Sequence, residues 1–204
     1  MLDSKYSFTH EWYKSLLDSF ELLKNEQRAE KLKFKPDAKR LIVEIGIYEG
    51  GSTVWWSDNF LEHPESRLIT IDPFTGSEDH FKNPEQFPTL NKIEQIAKSN
   101  IAKSKYPGKI EIKKGLSWNV YPFLQQEIQE GIDILYVDGS HETIDVIRDL
   151  SLYYPHVKSG GAIILDDYAD YWVSVKKGVD SCVQSFMELE NGFKCVNQLW
   201  LIKK

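Results

Sequence analysis

Five short strand-like runs, each stopped by a glycine or an aspartate, recur along the chain with a helix-like segment between successive runs. They are RLIVEIG (40–46), RLITIDPF (67–74), KIEIKKG (109–115), DILYVDG (133–139) and GGAIILDDY (160–168). Short apolar or alternating runs bounded by turn residues read as strands, mostly buried ones. Between them the 3.6-residue period predicts helices over 52–60, 91–106, 119–130 and 142–157, the last with Ile144, Ile147, Leu150 and Leu152 inward. Strand–helix alternation of this kind requires a mostly parallel sheet covered by helices on both faces, a doubly wound α/β fold. An amphipathic helix over 10–34, carrying Trp12, Leu16, Leu17, Phe20 and Leu23, is expected to precede it, with a turn at Pro36-Asp37. Residues 75–91 are polar, hold two prolines and read as a long loop. A helix near 172–190 is followed by FKCVNQLWLIKK, read as one or two antiparallel strands with a turn at Asn197-Gln198.

A chain of 204 residues suits one such domain, with 1–36 as a helical cap and 37–204 as the core. With 41% hydrophobic and 27% charged residues it has the composition of a soluble globular protein. No apolar run approaches the roughly 20 residues that span a bilayer, so no membrane association is expected. The opening MLDSKYSFTHEWYKSLL lacks the basic flank, apolar block and cleavage site of a signal peptide. Cys182 and Cys195 have no metal-type spacing, and a cytoplasmic location follows by default. A net charge of −6 without a dense Lys/Arg stretch argues against a nucleic-acid partner.

In an open α/β sheet, ligands bind beyond the carboxyl ends of the strands. Here those ends carry Glu44-Ile45-Gly46, Asp72, Gly115-Leu116-Ser117, Asp138 and Asp166-Asp167. One polar strand end reads as a helix cap; five at one rim read as a ligand crevice. In VEIGIYEGGS the glycines Gly46, Gly50 and Gly51 permit a tight turn and close approach to a ligand. The loop has neither the G-x-G-x-x-G of dinucleotide sites nor a P-loop. Glu44 beside it disfavours a pyrophosphate and suits a cationic ligand, such as a sulfonium bearing an ammonium group. Asp72, 26 residues beyond Gly46, stands where a carboxylate accepts ribose hydroxyls, although a strand-ending Asp before Pro has the same look.

Taken in order, VEIGIYEGGS, LITIDPF, KKGLSWNVYP, ILYVDGSH and GGAIILDDY resemble the class I S-adenosylmethionine-dependent methyltransferases over roughly residues 40–168. The resemblance is to their metal-dependent O-methyltransferase branch, which includes macrolide sugar O-methyltransferases and catechol O-methyltransferases. It implies a Rossmann-like core with an antiparallel C-terminal strand. It also implies S-adenosylmethionine as cofactor, with Glu44, Gly46, Tyr48, Gly50, Gly51 and Ser52 around its methionine part. Asp72 would then hold the ribose, Ser117 and Trp118 would border the adenine, and Asp138 would also face the cofactor.

Asp138, Asp166 and Asp167 end neighbouring strands, so three carboxylates converge and repel unless a cation or protons compensate them. A hard divalent ion, Mg²⁺ or Mn²⁺, is the natural partner. His141, three residues after Asp138, is placed to take a hydroxyl proton, and the resemblance gives the histidine of a DGSH segment that role. His10, His63, His80 and His156 have no such context. The reading is a Mg²⁺-dependent O-methyltransferase acting on a small-molecule hydroxyl, with a sugar or glycosylated metabolite ahead of a catechol. The alternatives are a nicotinamide-dependent oxidoreductase and a non-catalytic cofactor-binding module. The end of the chain is short, so the 74–91 loop, the N-terminal helix, Tyr168, Tyr171 and Trp172 either shape an acceptor site or only pack. The amphipathic N-terminal helix could also pair with a second subunit.

Overall fold

The computed structural model describes Leu2, residues 4–25 and 37–82, Glu85 and residues 87–204. Seven strands form one sheet in the order β3-β2-β1-β4-β5-β7-β6. They are β1 (Leu41–Ile45), β2 (Arg67–Asp72), β3 (Ile110–Lys114), β4 (Ile132–Val137), β5 (Val157–Leu165), β6 (Leu189–Cys195) and β7 (Gln198–Lys203). The first five run parallel, and β7 pairs antiparallel with both β5 and β6. The strand order reverses between β1 and β4, which opens a crevice at their carboxyl ends. The helices are α1 (Lys14–Asn25), α2 (Gly51–Phe60), α3 (Glu78–Lys82), α4 (Ile93–Ala102), α5 (Ser117–Leu124), α6 (Thr143–Tyr153) and α7 (Val173–Ser185).

The two faces of the sheet are separated by the two-residue alternation of its strands. Val43, Ile45, Ile69, Ile71, Leu135, Val137, Ile163 and Leu165 face one way and pack on α5, α6 and α7 through Leu124, Leu150, Tyr153 and Val179. Ile42, Leu68, Ile134, Tyr136, Ile164 and Trp200 face the other way, toward α1 and α2. Helix α2 buries seven of its ten residues, so it is a core helix with no polar stripe. Phe20 of α1 sets its ring across Trp55 and Phe60, with centroids 5.4 Å away in each case. Ser19 adds a hydrogen bond from its hydroxyl to the Cys195 carbonyl, 3.1 Å.

Several boundaries differ from the sequence expectation. The helix expected over 119–130 starts earlier and stops at Leu124, with Pro122 inside it; the missing proline N–H and its ring weaken the last turn. The stretch expected as a helix to 190 stops at Ser185, because Leu189–Cys195 pairs with β7 instead. The 75–91 stretch contains α3 and, from Leu90, a short 3-10 turn. The hairpin turn falls on Val196-Asn197, one residue before the expected pair, with Val196 at φ 51°. The N-terminal helix is observed over Lys14–Asn25; its expected continuation to 34 and the Pro36 half of the turn lie outside the described residues. No helix among the described residues is long and apolar enough to cross a membrane.

Candidate active site

Backbone hydrogen bonds carry the ladder one residue past each central strand and bring their ends level. Gly46 N–H donates to Ile71, Asp138 N–H to Ile45, Gly115 N–H to Asp72 and Asp166 N–H to Val137, all between 2.8 and 3.1 Å. At Gly46, φ is +94° and an added Cβ would fall 1.8 Å from the Asp138 carbonyl oxygen. Only glycine fits there, because β1 and β4 leave the sheet in contact.

The glycine loop is held from below by Asp72. Its Oδ2 accepts the N–H groups of Ile47 (2.7 Å) and Tyr48 (3.2 Å), and its Oδ1 that of Phe74 (2.6 Å). Burial pushes the Asp72 pKa up, and these backbone donors pull it back. They also fix Tyr48 at φ 49°, a left-handed conformation that costs a bulky residue about 1–3 kcal/mol. The carboxylate expected on a ribose is therefore first the organiser of the loop, with lone-pair capacity left on Oδ1 for a ligand.

Between these strand ends and α5 and α6 lies a cavity of about 310 Å³, within the size range of small-molecule sites. Ile45 and Ile71 form its apolar floor, and Gly46, Tyr48, Asp72, Ser117, Trp118 and Asp138 all line it. The remaining expected cofactor residues do not. Glu44 points to the opposite face of the sheet, in register with Thr70 and Tyr136. Its Oε2 accepts the hydroxyls of Thr53 and Thr70, each at 2.6 Å. It has no exposed surface, and burial lifts its pKa to about 7. It is a core group that pins α2 to the sheet, and no ligand in the cavity meets it. Gly50 at φ 85° starts α2, Gly51 lies against the Tyr13 ring, and Ser52 is buried on the same helix.

A second, narrow recess of about 10 Å³ adjoins the cavity and shares Asp138, Gly139 and Ser140 with it. It brings together Asp138, His141, Asp166 and Asp167. The Tyr136 hydroxyl bridges Asp138 Oδ2 (3.1 Å) and Asp166 Oδ2, and Gln198 Nε2 also donates to Asp166 Oδ2 (3.0 Å). Burial, then the neighbouring carboxylates, raises Asp138 well above the ordinary range and Asp166 to about 6. Asp167, at φ 54°, turns away from this pair, and His141 Nε2 lies 2.9 Å from its Oδ2. The trio fits a hard dication in its chemistry, since a cation would relieve the repulsion that now favours protonation. It does not fit in its arrangement: among the described residues no three His, Cys, Asp or Glu side chains are gathered closely enough to hold a metal ion. The expected centre is not preformed, because Tyr136 and Gln198 occupy Asp166 and His141 holds Asp167.

The sequence left several site residues unmarked. His80, read as background, lines the cavity and stacks on Tyr48 with centroids 5.4 Å apart. Its Nδ1 accepts the N–H of Ser77 at 2.9 Å, which closes α3 into a tight turn. His10, Trp12 and Phe87 complete an aromatic cover over Tyr48. Glu49 ties two of the segments that carry it, accepting from Thr9 and from Thr89. The signals in the sequence were the length of the 74–91 connection, since long loops in compact domains usually serve a site, and the aromatic N-terminal segment that carries Trp12. Trp172 packs on His141 at 4.2 Å, and Tyr171 is exposed beside it. Asp149, a buried acid on the cavity wall, was not singled out either.

Comparison with known proteins bears on the fold and the family. An uncharacterized protein, R132, of Acanthamoeba polyphaga mimivirus is 35% identical over 133 residues, covering 63% of this chain and 52% of that protein. The chain thus spans about half the length of that curated relative. Among solved structures, the O-methyltransferase TomG from Streptomyces achromogenes, involved in tomaymycin synthesis and in complex with SAM, superposes with a TM-score of 0.61. The identity is 15%, over 98% of this chain and 92% of that one. CalS11, a TDP-rhamnose 3'-O-methyltransferase of calicheamicin biosynthesis, gives 0.56 at 16% identity, over 90% and 79%. MycE, from the mycinamycin pathway and in complex with Mg and SAH, gives 0.54 at 18%, over 91% and 54%. These structural likenesses establish the fold. Residues 43–168, more than half of the chain and the whole rim from β1 to Asp167, match the family described as a methyltransferase domain, and the protein belongs to that family.

Proposed function

We propose that the protein transfers the methyl group of S-adenosylmethionine to a hydroxyl of a small molecule, with His141 as general base. The observation that carries this reading is the junction of two sites at Asp138–Ser140: a cofactor-sized cavity on one side and an Asp–His pair on the other. With Nε2–H donating to Asp167, the imidazole keeps its lone pair on Nδ1, and Asp167 stabilises the cation formed when Nδ1 takes a proton. The acceptor oxygen then attacks the methyl carbon, the carbon–sulfur bond breaks, and its electron pair stays on sulfur as a neutral thioether. The chain contributes mainly alignment of the two reactants and a fixed place for the proton.

The recess is no larger than a water molecule, so the acceptor lies over its open edge, against Trp172 and the exposed Tyr171. Aromatic faces of that kind suit the C–H face of a sugar ring, and a sugar or glycosylated metabolite is the acceptor class we favour. The fold neighbour named for TDP-rhamnose supports it. The Mg²⁺ expected from the sequence enters no step of this reading: Asp138, Asp166 and Asp167 would have to leave Tyr136, Gln198 and His141 to hold it, and the MycE structure in complex with Mg is the analogy for it.

Calorimetric titration with S-adenosylhomocysteine, with and without Mg²⁺ and with NAD as comparison ligand, tests the cofactor. Micromolar-range binding of S-adenosylhomocysteine and none of NAD is expected; the reverse pattern would make the protein an oxidoreductase. With an acceptor found by screening sugars and catechols, His141→Ala should lower turnover by about 10²–10⁴-fold, the usual contribution of a general base. Its affinity for S-adenosylhomocysteine should stay within about twofold of the parent. Unchanged turnover would remove His141 from the reaction.

A further inference from the structure

Asp166 meets hydrogen-bond donors on both of its carboxylate oxygens. Its Oδ1 accepts the backbone N–H of Asp167 at 2.9 Å. Its Oδ2 accepts Gln198 Nε2 at 3.0 Å and the Tyr136 hydroxyl, which also stands 3.1 Å from Asp138 Oδ2. Two donors fill the lone pairs of Oδ2, and one lone pair is left on Oδ1. Gln198, Tyr136 and Trp200 have no exposed surface. The amide of Gln198 cannot turn its oxygen toward the acid, because Oε1 already accepts the Trp200 indole N–H at 3.0 Å. The end of Gln198 that meets Asp166 is therefore a donor. A divalent ion, which takes oxygen ligands at about 2.0–2.6 Å, would meet there an N–H dipole of the same sign as its own charge.

The same contacts give the acids a different use. The Asp167 N–H that donates to Asp166 Oδ1 holds Asp167 in its turn at φ 54°. In that turn the Asp167 carboxylate reaches His141 Nε2 at 2.9 Å. Trp200, Gln198, Asp166, Asp167 and His141 thus form one continuous chain of hydrogen bonds from the core to the base. Donors aimed at a carboxylate favour its charged form, as a nearby cation does, and hydrogen bonds to an ionised acceptor are the strong ones. The antiparallel pairing of Leu165 with Leu199 is what brings Gln198 to the end of β5. The compensating charge expected from a dication is met from within the chain, by the C-terminal hairpin.

We propose that the acidic rim is a positioning device for His141 that takes no divalent cation. Gln198 and Tyr136 stand in for the ion, Asp166 holds Asp167 in its turn, and transfer proceeds without a metal. The claim about transfer rests on the methyltransferase reading above; the claim about the ion does not.

The test is titration with Mn²⁺, whose EPR signal is lost on binding, with no acceptor present. The wild type should leave the signal of free Mn²⁺ intact up to about 1 mM, and neither Mn²⁺ nor EDTA should move its melting temperature by more than about 1 °C. Gln198→Glu replaces the amide donor by a carboxylate oxygen of the same shape. It should bind about one equivalent of Mn²⁺ and melt about 5 °C higher with the ion than without it. Tyr136→Phe removes the other donor and should also gain binding, which covers the case of a Glu variant that does not fold. One equivalent of Mn²⁺ bound by the wild type and lost in Asp166→Asn would overturn the proposal, as would folded variants that bind none. With an acceptor found, EDTA should leave turnover within about twofold; turnover abolished by EDTA and restored by Mg²⁺ would overturn it as well. No binding of S-adenosylhomocysteine would remove the cofactor reading and leave the Mn²⁺ result standing.

Discussion

Glu44 illustrates how one buried carboxyl makes the stability of the fold depend on pH. Its pKa is raised to about 7 from an ordinary value of 4.5 because burial penalises the anion. The folded state therefore binds this proton more tightly than the unfolded state does. Below about pH 4.5 both states are protonated and the group costs nothing. The cost appears as pH rises from there and is complete above about pH 7, reaching about 3 kcal/mol at most. Glu44→Gln removes the charge and keeps an acceptor for Thr53 and Thr70. Its melting temperature should match the parent near pH 5 and exceed it near pH 8; a constant offset across that range would show that Glu44 does not titrate in the fold. The residue was legible in the sequence as an acid next to the glycine turn, but not in its direction. Strand alternation puts position 44 on the face of Ile42, away from Ile45 and the cavity. Asp149 went unnoticed for the opposite reason: an acid inside a helical period looks like solvent-facing charge until Ser117 and Tyr153 are placed around it.

At the scale of elements, the contact between α6 and α7 is set by Gly178. A Cβ there would stand 2.9 Å from Val146 Cβ and 3.0 Å from the Thr143 carbonyl oxygen. Alanine is the better helix former by about 1 kcal/mol, yet Gly178→Ala should destabilise the protein by about 1–3 kcal/mol through overpacking. Urea unfolding measures this directly, and a gain in stability would mean that the two helices can part without cost. All five parallel strands were legible, four as apolar runs ending in Gly or Asp and β3 by its alternation, although β5 begins at Val157, three residues before the expected start. The ends of helices were less so. Pro122 and the pairing of Leu189–Cys195 with β7 decide where α5 and α7 stop, and the second is a contact that no local pattern announces. The acidic rim was legible as a set. Its arrangement was not, since it depends on Tyr136 and Gln198 arriving from β4 and β7.

The whole molecule is closed by α1, which lays Leu16, Phe20 and Leu23 across α2 and the β6–β7 hairpin. The same contact sorts the six tryptophans into two groups. Trp55, Trp56 and Trp200 are buried under α1, with the Trp55 and Trp56 rings 4.7 Å apart. Trp12, Trp118 and Trp172 stand at the ligand rim, against Tyr48, Arg148 and His141 in turn. The molecule therefore carries two built-in optical reporters that need no label. S-adenosylhomocysteine should quench emission mainly through Trp118, so Trp118→Phe should lose most of that signal. The red shift on urea unfolding, which comes from the buried trio, should survive in the same variant. If ligand and denaturant instead moved the same tryptophans, binding would reach the core beneath α1, and the rim and the interior would respond as one optical unit.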